Sequence, residues 1–181
     1  MSAAIKARKI KLVICDVDGV LSDGKIVFDS MGRELKNFNV QDGLGLVLLK
    51  NFGIQSAIIS ARESKVVAHR AKELKIDHVF VGVSPKVSAY DQLIKKLKLR
   101  DEEVCFIGDD LTDLFVMKRV GLAVAVSNAV DEIKKVAHLT TRKHGGEGAV
   151  REVTDLILKS QGFWPKVLRD MGSDGLKPKT A

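Results

Sequence analysis

Cysteine and aromatic residues are scarce in this chain of 181 residues. It has two cysteines, one tryptophan and one tyrosine, and aromatic residues make up 5% of the total. Two cysteines cannot supply the disulfide framework of a small secreted domain, so we expect reduced thiols buried in a core. The sequence also lacks a long apolar run and a secretory signal pattern at its start. These absences favour a cytoplasmic protein with no membrane span.

Positive charge is in excess, but most of it lies near the two ends of the chain. The formal net charge is +7. Residues 1–12 contribute four positive charges and residues 162–181 contribute two, which leaves a single excess charge between them. No stripe of interleaved basic and aromatic residues, of the kind that binds single-stranded nucleic acid, accompanies these charges. We therefore expect no nucleic-acid partner.

The stretch Leu12–Leu21 joins an apolar run to a pair of carboxylates. The run Leu12–Cys15 is short, continuous and followed at once by Asp16 and Asp18. Such a run predicts a fully buried strand of a parallel sheet. Ligands of open α/β sheets bind just beyond the carboxyl ends of the strands, so both acids are candidates for chemistry.

A second strand end far downstream repeats this arrangement. The apolar run Val104–Gly108 ends on Asp109, and Asp113 follows four residues later. Two buried strands that end in carboxylates predict a magnesium site assembled from separate segments. The side chain of Asp110 is expected to point away from that site.

Strand and helix patterns alternate along the rest of the chain. This alternation predicts a Rossmann-like, three-layer α/β/α fold with a mostly parallel sheet. A β-hairpin, Lys25–Asn39, follows the first strand, and Pro85 is predicted at the first position of a helix. The expected organisation is a basic segment at 1–9, one domain at 10–162 and a tail at 163–181.

Four separated motifs resemble those of the haloacid dehalogenase-like phosphatases. They are Asp16-Val17-Asp18-Gly19, Ser60, Lys86 and Gly108-Asp109-Asp110-Leu111-Thr112-Asp113. Further segments resemble the 3-deoxy-D-manno-octulosonate 8-phosphate phosphatase family within that superfamily. These segments are Phe38–Gly43, Ser60-Ala61-Arg62, Arg70 and Gly145–Glu152. The chain departs from the family pattern at Ser60 and Ala61, where threonine and glycine are usual.

The resemblance implies hydrolysis of 3-deoxy-D-manno-octulosonate 8-phosphate to the free sugar acid, which is used for lipopolysaccharide. Asp16 would be the nucleophile and would form an aspartyl phosphate. Asp18 would protonate the leaving alkoxide and then activate the hydrolytic water. Ser60 and Lys86 would hold the oxygens of the transferred phosphoryl group.

The resemblance also assigns the metal and the substrate contacts. Mg²⁺ would be held by Asp16, the backbone carbonyl of Asp18, and Asp109, while Asp113 would orient the water around the ion. The residues implied in substrate binding are Asp18, Asn39, Val40, Gln41, Asp42, Gly43, Arg62, Arg70 and Lys86.

Several of these residues also fit a purely structural role. Ser60 and Glu63 have the spacing of a helix capping box. Lys86 at a helix start could be a solvated charge, Arg70 could be half of a surface ion pair, and Asp42 could simply begin a helix. The loop Gly145–Gly148 could be only a flexible turn.

The spacing between the motifs leaves no room for a cap domain over the site. Because the related phosphatases are tetramers, the resemblance implies a homotetramer in which the tail or a neighbouring subunit covers the site. Two other functions remain open. One is a phosphatase for a nine-carbon keto-sugar acid 9-phosphate, and the other is a non-catalytic assembly or regulatory module of the same fold.

Overall fold

The computed structural model describes residues 2–172. Within this range the strands are β1 (Leu12–Cys15), β2 (Val27–Phe28), β3 (Glu34–Leu35), β4 (Gln55–Ile59), β5 (His78–Phe80), β6 (Val104–Gly108), β7 (Leu122–Ala125) and β8 (Leu139–Thr140). The α-helices are α1 (Ala3–Ala7), α2 (Val40–Asn51), α3 (Lys65–Glu73), α4 (Lys86–Leu97), α5 (Leu114–Met117), α6 (Asp131–Val136), α7 (Ala149–Ser160) and α8 (Trp164–Gly172). Short 3-10 turns at Asp101–Glu103 and Leu111–Asp113 flank β6.

Six strands form one parallel sheet in the order β5-β4-β1-β6-β7-β8. The four residues of β1 are all buried because this strand is hydrogen-bonded on both edges and covered on both faces. Cys15, its last residue, pairs with Ile58 of β4 and with Ile107 of β6. The carboxyl ends of β1, β4 and β6 therefore lie at one edge of the sheet, where the predicted motifs begin.

Helices cover both faces of the sheet. Helix α7 packs against α1 and α2, while α4, α5 and α6 contact one another in chain order. The buried residues of α2 and α7 are apolar residues, glycines, and two polar residues, Asp42 and Thr154, whose side chains are hydrogen-bonded. The predicted three-layer α/β/α fold with a mostly parallel sheet is confirmed. None of the helices within residues 2–172 is long and apolar enough to cross a membrane.

The hairpin after β1 is a separate two-stranded sheet. Its strands β2 and β3 pair antiparallel, with Val27 opposite Leu35, and a single bridge joins Ser22 to Phe38 further along. The paired segments are shorter than the predicted span Lys25–Asn39. Between Asp18 and Asp109 the chain contains this hairpin and three helix–strand units, so these segments hold no cap domain.

Both ends of the described chain pack against the domain. Ala7 of α1 is fully buried, and its carbonyl accepts a hydrogen bond from Gln161. Beyond α7, Phe163 stacks on Phe52 with the ring centroids 4.9 Å apart, and Val167 of α8 is buried. Ala7 lies in the predicted basic segment 1–9, and Phe163 and Val167 lie in the predicted tail 163–181. Residues 173–181 of the predicted tail lie outside the described range.

One helix start differs from the prediction. Helix α4 begins at Lys86, and Pro85 is its N-cap in extended conformation, after a cis peptide bond from Ser84. The prediction of Pro85 as the first helical residue is therefore wrong by one position. Lys86 is therefore the first helical residue of α4, and its side chain is buried.

Candidate active site

Three carboxylates from two strand ends converge at the edge of the sheet. Asp16 follows β1, Asp109 follows β6, and Asp113 closes the 3-10 turn after β6. One oxygen from each carboxylate lies within 4.8 Å of the others. This is the cluster that the two acidic strand ends predicted.

Asp113 is held inside this cluster by the backbone. It is fully buried, and its Oδ2 accepts hydrogen bonds from the backbone N–H of Asp109 at 3.0 Å and of Asp110 at 3.4 Å. The Asp110 side chain instead caps the turn through Leu111 and is exposed. Asp113 thus fixes the loop that carries Asp109, and Asp110 has the structural role expected of it.

A buried lysine joins two of the carboxylates. The Lys86 Nζ lies 2.8 Å from Asp16 Oδ1 and 2.6 Å from Asp113 Oδ1, and 2% of its side chain is exposed. The alternative that Lys86 is a solvated charge at a helix start is therefore excluded. Its ammonium lies beside the proposed nucleophile, within reach of any anion bound there.

Burial and mutual repulsion shift the pKa values of the cluster. Burial and the neighbouring Asp113 raise the pKa of Asp16, and Lys86 offsets part of this rise. Burial and the charges of Asp16 and Asp113 raise the pKa of Asp109. Burial alone would lower the pKa of Lys86, but the two carboxylates that contact it raise its pKa. The single Lys86 ammonium cannot balance the negative charges of the three carboxylates in the cluster.

The cluster fits a small, hard cation such as Mg²⁺. Its donors are carboxylate oxygens, which such ions prefer, and they come from a rigid strand end and a tight turn. Asp109 Oδ1 is buried and has no hydrogen-bond partner among the described residues. A buried carboxylate oxygen without a partner is costly, and a bound cation would satisfy it. Asp16 and Asp109 are the residues best placed to hold the ion.

Gly19 allows the loop after β1 to approach β6. Its φ of +86° is in the left-handed region, and a Cβ at this position would lie 2.1 Å from Asp109 Oδ2. The fourth residue of the first motif, Gly19, must therefore lack a side chain for the two strand ends to meet.

The loop at Gly145 packs against this same turn and is more than a flexible connection. A Cβ on Gly145 would lie 1.6 Å from the Gly19 carbonyl oxygen. Asn128 joins the two segments, since its side chain donates to the Gly19 carbonyl and accepts from the Gly145 N–H. Asn128 was not predicted from the sequence, because a lone asparagine after a strand carries no distinguishing pattern.

Ser60 lies at the end of β4 and does not cap α3. The N-cap of α3 is Ser64, whose side chain accepts from the Val67 N–H. Ser60 is buried, and among residues 2–172 its hydroxyl accepts one long hydrogen bond, 3.4 Å, from the Arg62 N–H. The capping-box interpretation of Ser60 and Glu63 is therefore excluded, which leaves the Ser60 hydroxyl available at the strand end.

Asp18 is bordered by two cations from outside the first motif. Its Oδ1 forms an ion pair with Lys36, and its Oδ2 lies 3.8 Å from Arg62 Nη1. Glu34 contacts both cations, at 3.3 Å from each. Sequence reasoning missed Lys36 and Glu34. The available signal was that residues 34, 36 and 38 lie on the same face of the predicted hairpin strand, since successive side chains point to opposite faces. A face that carries Phe38 is typical of one turned toward the domain.

The predicted substrate loop Asn39–Gly43 forms the first turn of α2. Asn39 is its N-cap, and Val40 and Gln41 are exposed. Asp42 is buried, and its carboxylate accepts hydrogen bonds from the backbone N–H of Gly148 and of Arg151 at the start of α7. Those contacts give Asp42 a structural role in joining α2 to α7.

Arg70 has contacts on two sides. Its Nη1 lies 2.8 Å from Glu73, one turn along α3, which is the ion pair that the structural alternative described. The guanidinium also lies over the Phe38 ring at 5.9 Å and against Gly43, where a Cβ would come within 2.6 Å. Its buried Nε has no hydrogen-bond partner among the described residues. Arg70 therefore joins α3 to the hairpin end and α2.

The fold and the cluster define a haloacid dehalogenase-like hydrolase. Residues 78–153 match the family model described as haloacid dehalogenase-like hydrolase. These residues include Lys86, Asp109 and Asp113, while Asp16 and Asp18 precede the matched segment.

The particular family follows from the similar proteins. The 3-deoxy-D-manno-octulosonate 8-phosphate phosphatase of Yersinia pestis is 49% identical over 86% of this chain and 83% of its own. The Escherichia coli K12 phosphatase of the same description is 48% identical over 87% and 84%. A crystal structure of the Moraxella catarrhalis phosphatase, in complex with magnesium, phosphate and the sugar acid, has a TM-score of 0.90, 46% identity, and coverage of 92% and 97%. The chain belongs to the 3-deoxy-D-manno-octulosonate 8-phosphate phosphatase family.

Proposed function

We propose that this protein is a magnesium-dependent phosphatase that hydrolyses 3-deoxy-D-manno-octulosonate 8-phosphate and supplies the free sugar acid for lipopolysaccharide. The observation that carries the chemistry is the cluster of Asp16, Asp109 and Asp113 beside the buried Lys86. The similarity to family members over most of the chain supports the choice of substrate.

The reaction proceeds in two phosphoryl-transfer steps. When bound, Mg²⁺ neutralises the repulsion between the phosphate and the carboxylates. An oxygen of Asp16 attacks phosphorus, and the bond from phosphorus to the sugar oxygen breaks as Asp18 gives that oxygen a proton. Asp18 then takes a proton from water as the water attacks phosphorus, which releases phosphate and frees Asp16. Lys86 and the Ser60 hydroxyl hold the phosphoryl oxygens throughout.

A substrate panel tests this function. We would measure kcat/KM for the eight-carbon sugar acid 8-phosphate, a nine-carbon keto-sugar acid 9-phosphate and a hexose 6-phosphate, each with Mg²⁺ and with a chelator. The proposal requires the highest kcat/KM for the eight-carbon substrate, and its loss on chelation. A preference for the nine-carbon substrate would support the sibling activity, and no phosphate release from any substrate would support a non-catalytic module.

Binding of Mg²⁺ is expected to raise the thermal stability of the protein. The pKa values of Asp16 and Asp109 are raised in the folded protein, so without metal the folded state binds more protons than the unfolded chain. The contribution of these groups to stability therefore falls as pH rises above about 4, the ordinary carboxyl pKa. Saturating Mg²⁺ should raise Tm by roughly 5–10 °C at pH 8, and by less at pH 5.5.

Calorimetry at constant ionic strength checks this prediction, with NaCl replacing MgCl₂ in the reference scans. Asp109→Asn is the control, since it removes one of the repelling charges and a proposed ligand together. In that variant both the Mg²⁺ effect and its dependence on pH should shrink. An equal rise in Tm for wild type and Asp109→Asn would show that Mg²⁺ acts elsewhere.

We further propose a cytoplasmic homotetramer, in which a neighbouring subunit or the tail covers each site. The free, buried thiols of Cys15 and Cys105 are compatible with a reducing compartment. The hairpin supports assembly because its apolar side chains are exposed: Ile26 by 61%, Phe28 by 57%, Met31 by 75% and Leu35 by 52%. A two-stranded ribbon with this much exposed apolar surface is typical of a surface covered by another chain.

Phe28→Asp tests the assembly. A carboxylate in a shared apolar core is poorly solvated, so the variant should elute as a smaller species than the wild type, with lower kcat. Light scattering coupled to size exclusion gives the mass. Phe115→Asp is the matched control, because Phe115 is 69% exposed outside the hairpin and should leave the mass unchanged. A monomeric wild type at assay concentration would contradict the tetramer.

A further inference from the structure

Lys36 is a lysine that the fold buries almost completely at the edge of the site. Only 1% of its side chain is exposed, although it lies in a two-stranded hairpin whose apolar residues face outward. Buried lysines are rare unless they are paired, because the ammonium loses its hydration. The partners of Lys36 are Asp18 Oδ1 and Glu34 Oε1, the latter at 3.3 Å. The hairpin therefore inserts one cation beside the proposed acid–base residue.

The contact is selective for one oxygen of Asp18. Oδ1 accepts a hydrogen bond from the Lys36 ammonium, whereas Oδ2 faces Arg62 Nη1 at 3.8 Å, which is beyond hydrogen-bond distance. An ammonium can only donate, so Oδ1 must act as an acceptor while Lys36 is in place. The proton that the reaction moves is then confined to Oδ2.

The residues behind Lys36 make this arrangement rigid. Glu34 contacts Lys36, Arg62 Nη2 at 3.3 Å, and the hydroxyl of Ser64 at the start of α3. The pKa of Glu34 is lowered, chiefly by the hydrogen bond from Ser64 and then by the charges of Lys36 and Arg62. These contacts outweigh burial, which raises the pKa. Glu34 thus ties the hairpin to α3 and holds Lys36 against the first motif.

We propose that Lys36 is a positioning residue that orients the Asp18 carboxyl group and fixes Oδ2 as the oxygen that donates the proton. This role rests on the proposed function. As the bond from phosphorus to the sugar oxygen breaks, the proton on Oδ2 passes to that oxygen and Asp18 is left as a carboxylate. Proton transfer requires hydrogen-bond distance between donor and acceptor, so an Asp18 side chain without its anchor donates less efficiently.

The leaving group provides a measurement that separates this role from a structural one. An alkoxide needs a proton as it departs, whereas p-nitrophenolate is stable enough to leave without one. The quantity to compare is kcat/KM, because it reports the steps up to departure of the leaving group and is insensitive to the later attack of water. The two substrates are the sugar acid phosphate and p-nitrophenyl phosphate.

Lys36→Met is the test variant. We expect kcat/KM for the sugar acid phosphate to fall by roughly ten-fold or more, and that for p-nitrophenyl phosphate to change less than about three-fold. Asp18→Asn should show the same selectivity to a greater degree. Lys36→Gln keeps a donor for Oδ1 and should retain more activity on the sugar acid phosphate than Lys36→Met; it also serves if Lys36→Met does not fold.

Lys25→Met is the matched control. Lys25 lies in the same loop and hairpin region, with 76% of its side chain exposed, and should leave both values of kcat/KM unchanged. An equal loss on both substrates for Lys36→Met and Lys36→Gln, or no loss on either, would overturn the positioning role. A wild-type protein that hydrolyses neither substrate would overturn the proposed function instead.

Discussion

The substitution Asp16→Asn is expected to abolish turnover and leave the protein folded. The amide has nearly the shape of the carboxylate but cannot attack phosphorus, so no covalent intermediate forms. We expect kcat to fall by roughly 10³-fold or more. Stability should not fall in metal-free buffer, because burial and the charge of Asp113 already make the Asp16 carboxylate unfavourable. Phosphate release and calorimetry on the same samples measure both quantities.

Asp110→Asn is the matched control for this substitution. Asp110 lies in the loop between Asp109 and Asp113, but its exposed side chain caps the 3-10 turn and accepts from the backbone N–H groups of Leu111 and Asp113. The same chemical change there should leave kcat within about two-fold and lower Tm slightly through a weaker turn cap. Phosphate release at the wild-type rate by magnesium-loaded Asp16→Asn would contradict the covalent mechanism.

The sheet was predictable because parallel strands buried on both faces have an unmistakable composition. The runs Leu12–Cys15 and Val104–Gly108 are continuously apolar, and an acid follows each of them. Asp16 and Asp109 could therefore be assigned to the same edge of the sheet without knowledge of the strand order. The register of β1 with β6 explains why this worked: the two strands end together. The long-range pairing itself is a property of the whole sheet and had no local signal.

The contacts of the hairpin with the site were not predictable from composition. A lysine in a strand is usually exposed, and burial of Lys36 depends on the approach of Asp18, which lies 18 residues earlier in the chain. Asp42 also makes contacts that had no local signal. Its place in a family motif predicts contact with the sugar, and in the structure its two oxygens accept hydrogen bonds from the backbone N–H groups of Gly148 and Arg151 at the start of α7. Local sequence cannot distinguish an acid that faces a ligand from one that faces a helix N-terminus.

Lys86→Met is expected to reduce both activity and stability. The variant leaves the buried carboxylates of Asp16 and Asp113 without the ammonium that lies 2.8 and 2.6 Å from them. Removing one partner of a buried ion pair costs about 3–5 kcal/mol, so Tm in metal-free buffer should fall by roughly 6–20 °C. We expect kcat to fall about 10²–10³-fold, as when a preorganised donor to a reacting oxygen is removed.

Two further variants separate charge balance from catalysis. Lys65→Met changes the first residue of α3, an exposed lysine at an equivalent helix start, and should affect neither quantity. The double variant Lys86→Met/Asp113→Asn removes one cation and one anion together, and the asparagine keeps an oxygen for the Asp109 N–H. It should therefore recover most of the lost Tm while kcat stays low, because no ammonium is available to the phosphoryl oxygens. If kcat recovers together with Tm, then Lys86 serves only to balance the buried charge of Asp113.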